Sequence, residues 1–270
     1  MDTRFWGPSG WKFLHLLTQD ASRCRNIVKW LKLLPYVLPC KYCRASLHDY
    51  YEIQPLTEEI FCNPETAGKW MYDIHNRVNG KLRGQGLLTE NDPSWPEIQK
   101  KYHAMYKGLC VTSPLIGWDF MSSIAFTTPS ADYRPVPMQD APESPADWLS
   151  LDIPTKNRFN LLTYKERLEK LAIWWKLIPS ILPCSSWRQS WASSMKNAGR
   201  PPLSKGRDAM MLWMWKIEEG VCSSLKCATE HSSLPALHSQ MKRVESNCSS
   251  SRKGKTCRSK KRKLRRTRRL

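Results

Sequence analysis

The apolar residues of this chain recur mostly at helical spacing. Trp11, Leu14, His15 and Leu17 share one face of a first helix, opened by Gly7-Pro8-Ser9-Gly10 with Ser9 as its cap. Ile27, Trp30, Leu31 and Leu34 predict a second amphipathic helix, after which Pro35 and Pro39 interrupt the chain. A third helix is predicted from about Cys40 to Tyr51 and a fourth from about Pro64 to Arg83. On the fourth, Trp70, Ile74, Val78 and Lys81 form one stripe. A short fifth helix covers about Trp95 to Met105. No alternating strand pattern competes, so the expectation is an all-α fold, with about five helices bundled over residues 1–108.

From about Ser113 the pattern begins again. Gly117-Trp118-Asp119-Phe120 echoes Gly10-Trp11-Lys12-Phe13. A Pro-, Asp- and Ser-rich loop follows over about 127–154. Trp174-Trp175-Lys176-Leu177-Ile178-Pro179-Ser180-Ile181-Leu182-Pro183-Cys184 then echoes Trp30-Leu31-Lys32-Leu33-Leu34-Pro35-Tyr36-Val37-Leu38-Pro39-Cys40. Arg188 falls where Arg44 falls, and Trp213 to Val221 lines up with Trp70 to Val78. Three matched segments in one order predict an internal repeat, with a second unit over 109–231. That unit keeps the packing residues and loses the polar ones. Trp187 stands for Cys43, Ser122 for His15, and Glu218 and Glu219 for His75 and Asn76.

From about Ser232 the chain turns polar and ends in a Lys/Arg run, and 232–270 is expected to be disordered. The net charge of +19 is concentrated there: residues 252–270 hold twelve Lys or Arg and no acid. Without them, 31 basic residues face 24 acidic ones, leaving +7. Such a tail suits nonspecific polyanion or nucleic acid contact through phosphates, or nuclear import. No run of about 20 apolar residues is present, so no membrane span is expected. The first residues lack the regions of a signal peptide, which suggests a cytosolic compartment where lasting disulfides are unusual.

The chemistry centres on Cys40-Lys41-Tyr42-Cys43. Two thiols at this spacing at a helix start can close and reopen a disulfide. The helix N-terminus, Lys41 and Arg44 all favour the thiolate. By itself the pair could also be a static disulfide or half of a zinc site. The ten cysteines lack the paired grid of a zinc fold, and no metal is expected. Further on, His75 and Asn79 share a helix face with Asn76, Trp70 and Lys81 near it. A ring to stack on, several hydrogen-bonding groups and a cation suit a cofactor with an aromatic system, an adenine and a diphosphate.

Three motifs in this order resemble the Erv-type, ALR-like FAD-linked sulfhydryl oxidases. They are Trp6-Gly7-Pro8-Ser9-Gly10-Trp11 with Phe13-Leu14-His15, Pro39-Cys40-Lys41-Tyr42-Cys43-Arg44, and Trp70 with His75-Asn76-Arg77-Val78-Asn79-Gly80-Lys81-Leu82. The similarity covers about residues 5–105 and is greatest to the two-domain versions of large DNA viruses. It implies a helical bundle with FAD at its mouth. Gly7, Trp11 and His15 would lie against the flavin or diphosphate, and Tyr42 and Cys43 would face the ring. Trp70, His75, Asn76, Val78, Asn79 and Lys81 would line the adenine and phosphate side, with Lys101 and Tyr102 as a last contact. It also implies a homodimer, protein dithiols or a thioredoxin-like protein as electron donor, and oxygen as acceptor, giving hydrogen peroxide. A location in host cytoplasm at viral assembly sites, or in the virion, would follow.

In that scheme the substrate attacks Cys40, the outer sulfur, and Cys43 passes electrons to the flavin. The family often carries a cysteine where this chain has Tyr72, so Cys62 reads as an orphaned partner. Cys24, Cys110 and Cys184 read as buried or free thiols. Cys222 with Cys227, or Cys248 with Cys257, are candidates for a shuttle pair. His48, His103, His231 and His238 receive no role. The competing reading is a flavin-free, nucleic-acid-associated structural protein acting through its basic tail.

Overall fold

The computed structural model describes residues 1–112, 114–143 and 145–246. Among them every regular element is a helix, as the spacing predicts. The first unit contains α1 (Thr3–Leu17), α2 (Cys24–Leu31), α3 (Leu34–Val37), α4 (Lys41–Ile53), α5 (Glu58–Phe61), α6 (Pro64–Gly84) and α7 (Trp95–Thr112). Then come α8 (Trp118–Phe126), α9 (Pro145–Ser150), α10 (Ile153–Arg158), α11 (Tyr164–Ile181), α12 (Ser185–Ala198), α13 (Gly206–Leu225) and α14 (Leu234–Ser246). No helix among the described residues is long and apolar enough to cross a membrane.

Several boundaries differ from the sequence reading. Helix α1 starts at Thr3, capped by Asp2, whose Oδ1 accepts the Arg4 N–H at 2.9 Å; Ser9 is not the cap. Pro8 lies inside α1, where it removes one N–H donor without ending the helix. Helix α7 continues to Thr112, past the boundary expected after residue 108, because Leu109 is buried and keeps that turn packed.

The segment from Ser232 is not all disordered. Leu234, Leu237, Met241 and Val244 recur on one stripe of α14, and Leu237 and Met241 are fully buried. The Val244 carbonyl accepts the Asp2 N–H at 3.0 Å, which ties α14 back to the first cap. The surrounding Ser, Lys and Arg hide this short stripe in the sequence. The Lys/Arg run of 252–270 and the pair Cys248 and Cys257 lie outside the described residues.

Residues 1–108 and 109–231, expected as two units, contribute to one hydrophobic core. Helix α1 packs on α8, and α2 on α11. The residues that meet are those the sequence pairs with each other. Trp30 stacks on Trp174 with ring centroids 5.0 Å apart. Phe13 meets Trp30 edge-on at 5.8 Å, and Phe120 meets Trp174 edge-on at 6.2 Å, both at 79°.

Four cysteines expected as thiols are paired instead. Cys24 bonds to Cys62, tying the start of α2 to the end of α5, so Cys62 is not an orphan. Cys110 bonds to Cys184, joining α7 to the start of α12. Pairings between cysteines 38 and 74 residues apart depend on chain folding, which no spacing rule supplies.

Candidate active site

Helix α3 and the Leu38-Pro39 link deliver the chain to α4 with Cys40 as its extended N-cap residue. The Cys40 carbonyl accepts the N–H groups of Cys43 at 3.1 Å and Arg44 at 3.0 Å, which closes the first turn. Both sulfurs therefore sit at the positive end of α4, where a thiolate is favoured. Cys43 is half-buried and faces a cavity; Cys40 is 4% exposed. Cys43 is thus the sulfur on the cavity side, where the resemblance puts the flavin. Val136, Pro137 and Asn160 bond to the start of α4. Lys41 Nζ donates to the Val136 and Pro137 carbonyls at 3.0 and 3.3 Å, and Arg44 donates to Asn160 Oδ1.

The cavity lies between α1, α4, α6 and α7 and has a volume of about 720 Å³. This is within the range of small-molecule and cofactor sites. Gly7 and Trp11 reach it from α1, and Tyr42 and Cys43 from α4. Trp70, His75, Val78, Asn79 and Lys81 line it from α6, and Lys101 and Tyr102 from α7. Its walls are mainly apolar and aromatic, with Cys43 in the wall and the cations of Lys81 and Lys101 beside it. That set fits a flat aromatic cofactor with an anionic arm.

Two expected contacts, His15 and Asn76, are not on the wall. His15 is buried behind it, its Nε2 3.1 Å from His75 Nδ1. His75 stacks on Trp11 with centroids 3.9 Å apart, and His15 stacks on Tyr102 at 4.4 Å. Burial, aided by His75 and then Lys101, pulls the His15 pKa down to about 3. Burial and Lys101 outweigh Asp92 and pull His75 down to about 4. Both rings are neutral at pH 7, so one can donate to the other. Asn79 Nδ2 donates to Asp92 Oδ1 at 2.7 Å, and Lys81 bonds to the Ser46 hydroxyl.

Leu47 and Tyr51 also line the wall without having been singled out. They follow Cys43 at i+4 and i+8, so the helical period carried that signal. Phe120 reaches the cavity from the second unit, and no local pattern announces it. Where a cysteine might have stapled α6, the Tyr72 hydroxyl donates to the Pro93 carbonyl at 2.8 Å.

Ser122, Trp187 and Glu218, which match His15, Cys43 and His75 in sequence, are buried. Trp187, in the place of Cys43, is buried, and Trp118 stacks with Trp191 at 6.1 Å. Glu218, in the place of His75, is fully buried. It accepts from the backbone N–H groups of Glu230 at 2.6 Å and His231 at 3.2 Å. His231, given no role from sequence, lies between Glu218 Oε2 at 2.8 Å and Asp119 Oδ1 at 3.3 Å. Burial pulls its pKa down, but Asp119 and Glu218 outweigh it and raise it to about 9. Cys222 is buried beside Cys227; burial and that neighbour push its thiol pKa up.

Residues 8–102 match the Erv1 / Alr family. Over 89 residues the chain is 30% identical to mitochondrial FAD-linked sulfhydryl oxidase ERV1 of Saccharomyces cerevisiae, covering 30% of this chain and 45% of that protein. Over 98 residues it is 28% identical to sulfhydryl oxidase 1 of Pongo abelii, covering 33% of this chain and 13% of that protein. The chain thus spans less than half the length of either relative. No solved structure matches. The segment that carries the cysteine pair and most of the cavity wall is the part of the chain that matches the Erv1 / Alr family.

Proposed function

We propose that the protein is a flavin-dependent thiol oxidase that turns protein dithiols into disulfides at Cys40–Cys43. The observation that carries this reading is the position of Cys43, half-buried in the wall of the about 720 Å³ aromatic cavity, one turn into α4. FAD bound in the cavity would supply the two-electron acceptor and the route to oxygen, with hydrogen peroxide as product.

The chain's own residues have defined tasks in this reading. The α4 terminus favours the anionic sulfur that thiol exchange releases. Trp11 and Trp70 offer aromatic surface, and neutral His75 and Asn79 offer hydrogen bonds. Lys81 and Lys101 offer charge to a diphosphate. His15 holds His75 from behind. The apolar wall keeps bulk water from the reacting sulfur.

The second unit reads as a degenerate copy that binds no flavin, because buried Trp187 and Glu218 match Cys43 and His75 in sequence. The reciprocal contacts of Phe13, Trp30, Phe120 and Trp174 support the repeat. Assembly as a homodimer, implied by the resemblance, belongs to the same proposal and is read by light scattering.

The purified protein is expected to be yellow, to bind one FAD per chain and to consume oxygen when given dithiothreitol. Cys43→Ser is expected to keep the flavin and lose oxygen consumption. A folded, colourless protein would overturn the oxidase reading. A stoichiometry near two would overturn the flavin-free second unit.

A further inference from the structure

Two cysteines that the candidate site does not use meet at the end of α13. The helix stops at Leu225, and Lys226 turns left-handed, with φ 54° and ψ 40°. The Cys222 carbonyl then accepts the Cys227 N–H at 2.9 Å, and the Ser223 carbonyl accepts the Lys226 N–H at 3.3 Å. These are the two bonds of a Schellman cap, in which the side chains at the positions of Cys222 and Cys227 come to lie against each other. The 2.9 Å bond also keeps the two Cα atoms within about 7 Å, the reach of a disulfide. The two side chains hydrogen-bond to each other. Both are thiols in this structure, as Cys40 and Cys43 are.

Their surroundings are acidic. Cys222 is 2% exposed and Cys227 is half-buried. Glu218, fully buried, precedes Cys222 by four residues and so lies on the same face of α13. Burial, then Cys227, Glu218 and Glu230 push the Cys222 thiol pKa up. The chain after Cys227 returns to Glu218, whose Oε1 accepts the N–H groups of Glu230 and His231. Both ring nitrogens of His231 are engaged, one by Glu218 at 2.8 Å and one by Asp119 at 3.3 Å. That imidazole is therefore not free to join the two sulfurs on a metal ion.

The two thiol pairs stand at opposite ends of their helices. Cys40 and Cys43 open α4, where the helix dipole and the free N–H groups favour a thiolate. Cys222 and Cys227 close α13, where the dipole and Glu218 disfavour one. A disulfide whose reduced form is stabilised gives up its bond readily, and one whose thiols resist ionisation keeps it. Electrons are therefore driven from Cys222 and Cys227 towards a pair such as Cys40–Cys43. A shuttle pair must be reduced again by every substrate, which a bond of this kind resists. The geometry suits a lasting bond instead.

We propose that Cys222 and Cys227 close a lasting disulfide across the C-terminal cap of α13, pinning the segment that holds Glu218 and His231. The oxidant is a disulfide of another molecule, so the proposal does not rest on the oxidase reading. Cys227, the more exposed of the two, gives its proton to water. Its sulfur bonds to one sulfur of the oxidant, whose S–S bond breaks, and the other sulfur leaves with the electron pair as a thiolate. Cys222 then gives its proton to water and displaces the oxidant's remaining sulfur from Cys227. The pair loses two electrons and two protons, and the oxidant is reduced by two electrons to two thiolates.

The test equilibrates the full chain, without oxygen, in mixtures of reduced and oxidised glutathione, traps free thiols with N-ethylmaleimide and digests with trypsin. Cleavage after Lys216, Lys226 and Lys242 puts Cys222 in residues 217–226 and Cys227 in 227–242, so their bond is read as one linked peptide mass. The linked form is expected to dominate in excess oxidised glutathione. It should half-open at a ratio of reduced to oxidised glutathione at least about tenfold higher than Cys40–Cys43 needs. Two free or separately glutathione-capped cysteines in excess oxidised glutathione overturn the proposal. So does half-opening at or below the ratio for Cys40–Cys43. The measurement is made on wild type and needs no variant to fold. Oxygen consumption with dithiothreitol is measured separately. Its absence counts against the oxidase reading alone, and the linked peptide decides the cap disulfide.

Discussion

The ring of Phe120 occupies the space where a side chain at Gly10 would have to lie. A Cβ on Gly10 would stand 3.0 Å from Phe120 Cδ2, and one on Gly117 would stand 3.2 Å from the Phe13 Cβ. Each glycine of the two matched motifs thus receives the phenylalanine of the other. This exchange lets α1 and α8 approach closely.

Phe120 has no room to yield, being fully buried against Trp6 and Trp174. Gly10→Val is therefore expected to cost about 3 kcal/mol by overpacking. Gly80→Ala, with open space around its Cβ, should instead gain up to about 1 kcal/mol from helix propensity. Urea unfolding of the two variants checks this, and equal midpoints would contradict it.

The Cys110–Cys184 bond joins α7 to α12 across 74 residues of sequence. Cys110→Ser should lower unfolding stability by roughly 2–5 kcal/mol. Reductant should cost the wild type more than the variant lacking both cysteines, since in the variant it opens Cys24–Cys62 but has no Cys110–Cys184 bond to break. A variant as stable as wild type would mean that the two sulfurs are not bonded.

The buried histidines set opposite pH limits. His15 and His75 have folded pKa values of about 3 and about 4, below the ordinary 6.5. Their stabilising effect is complete above pH 6.5 and is lost as pH falls towards those values, because the unfolded chain binds the extra protons. His231 is raised to about 9, so its contribution is complete below 6.5 and is lost as pH rises through about 9. Unfolding measured across this range should show an alkaline decline that His231→Gln flattens and an acid decline that His15→Asn flattens. A His231→Gln profile parallel to wild type would refute the first assignment.

His75 stacks on Trp11 and bonds to His15, so its removal should loosen the cavity wall rather than the fold. His75→Ala is expected to weaken flavin retention by at least about tenfold, about 1.4 kcal/mol. Helical content should stay unchanged. Flavin-to-protein absorbance after gel filtration reads the first and circular dichroism the second. Full retention would remove His75 from the binding set.

Breaking the buried Glu218–His231 pair should be costly. Glu218→Gln leaves His231 with only Asp119 and is expected to destabilise by roughly 3–5 kcal/mol. Since this pair lies in the second unit, the flavin content of the folded fraction should not change. A parallel loss of flavin would instead couple the two units.

The sequence by itself determined the helical class, the start of α4 at the cysteine pair and the α6 stripe that carries Trp70, His75 and Asn79. These depend on periodicity, proline placement and capping, which act within a few residues. It also marked the matched motifs of the two units, since identical residue types recur in one order. Only the tertiary structure decided that Cys24 meets Cys62 and Cys110 meets Cys184, and that His15 stands behind His75. It alone bonded Lys41 and Arg44 of α4 to Val136, Pro137 and Asn160, and it buried Cys40 while leaving Cys43 on the cavity wall. Each of those outcomes joins residues far apart in the chain. Their contacts are selected by the packing of one shared core, and no local pattern encodes which distant partner fills a given space.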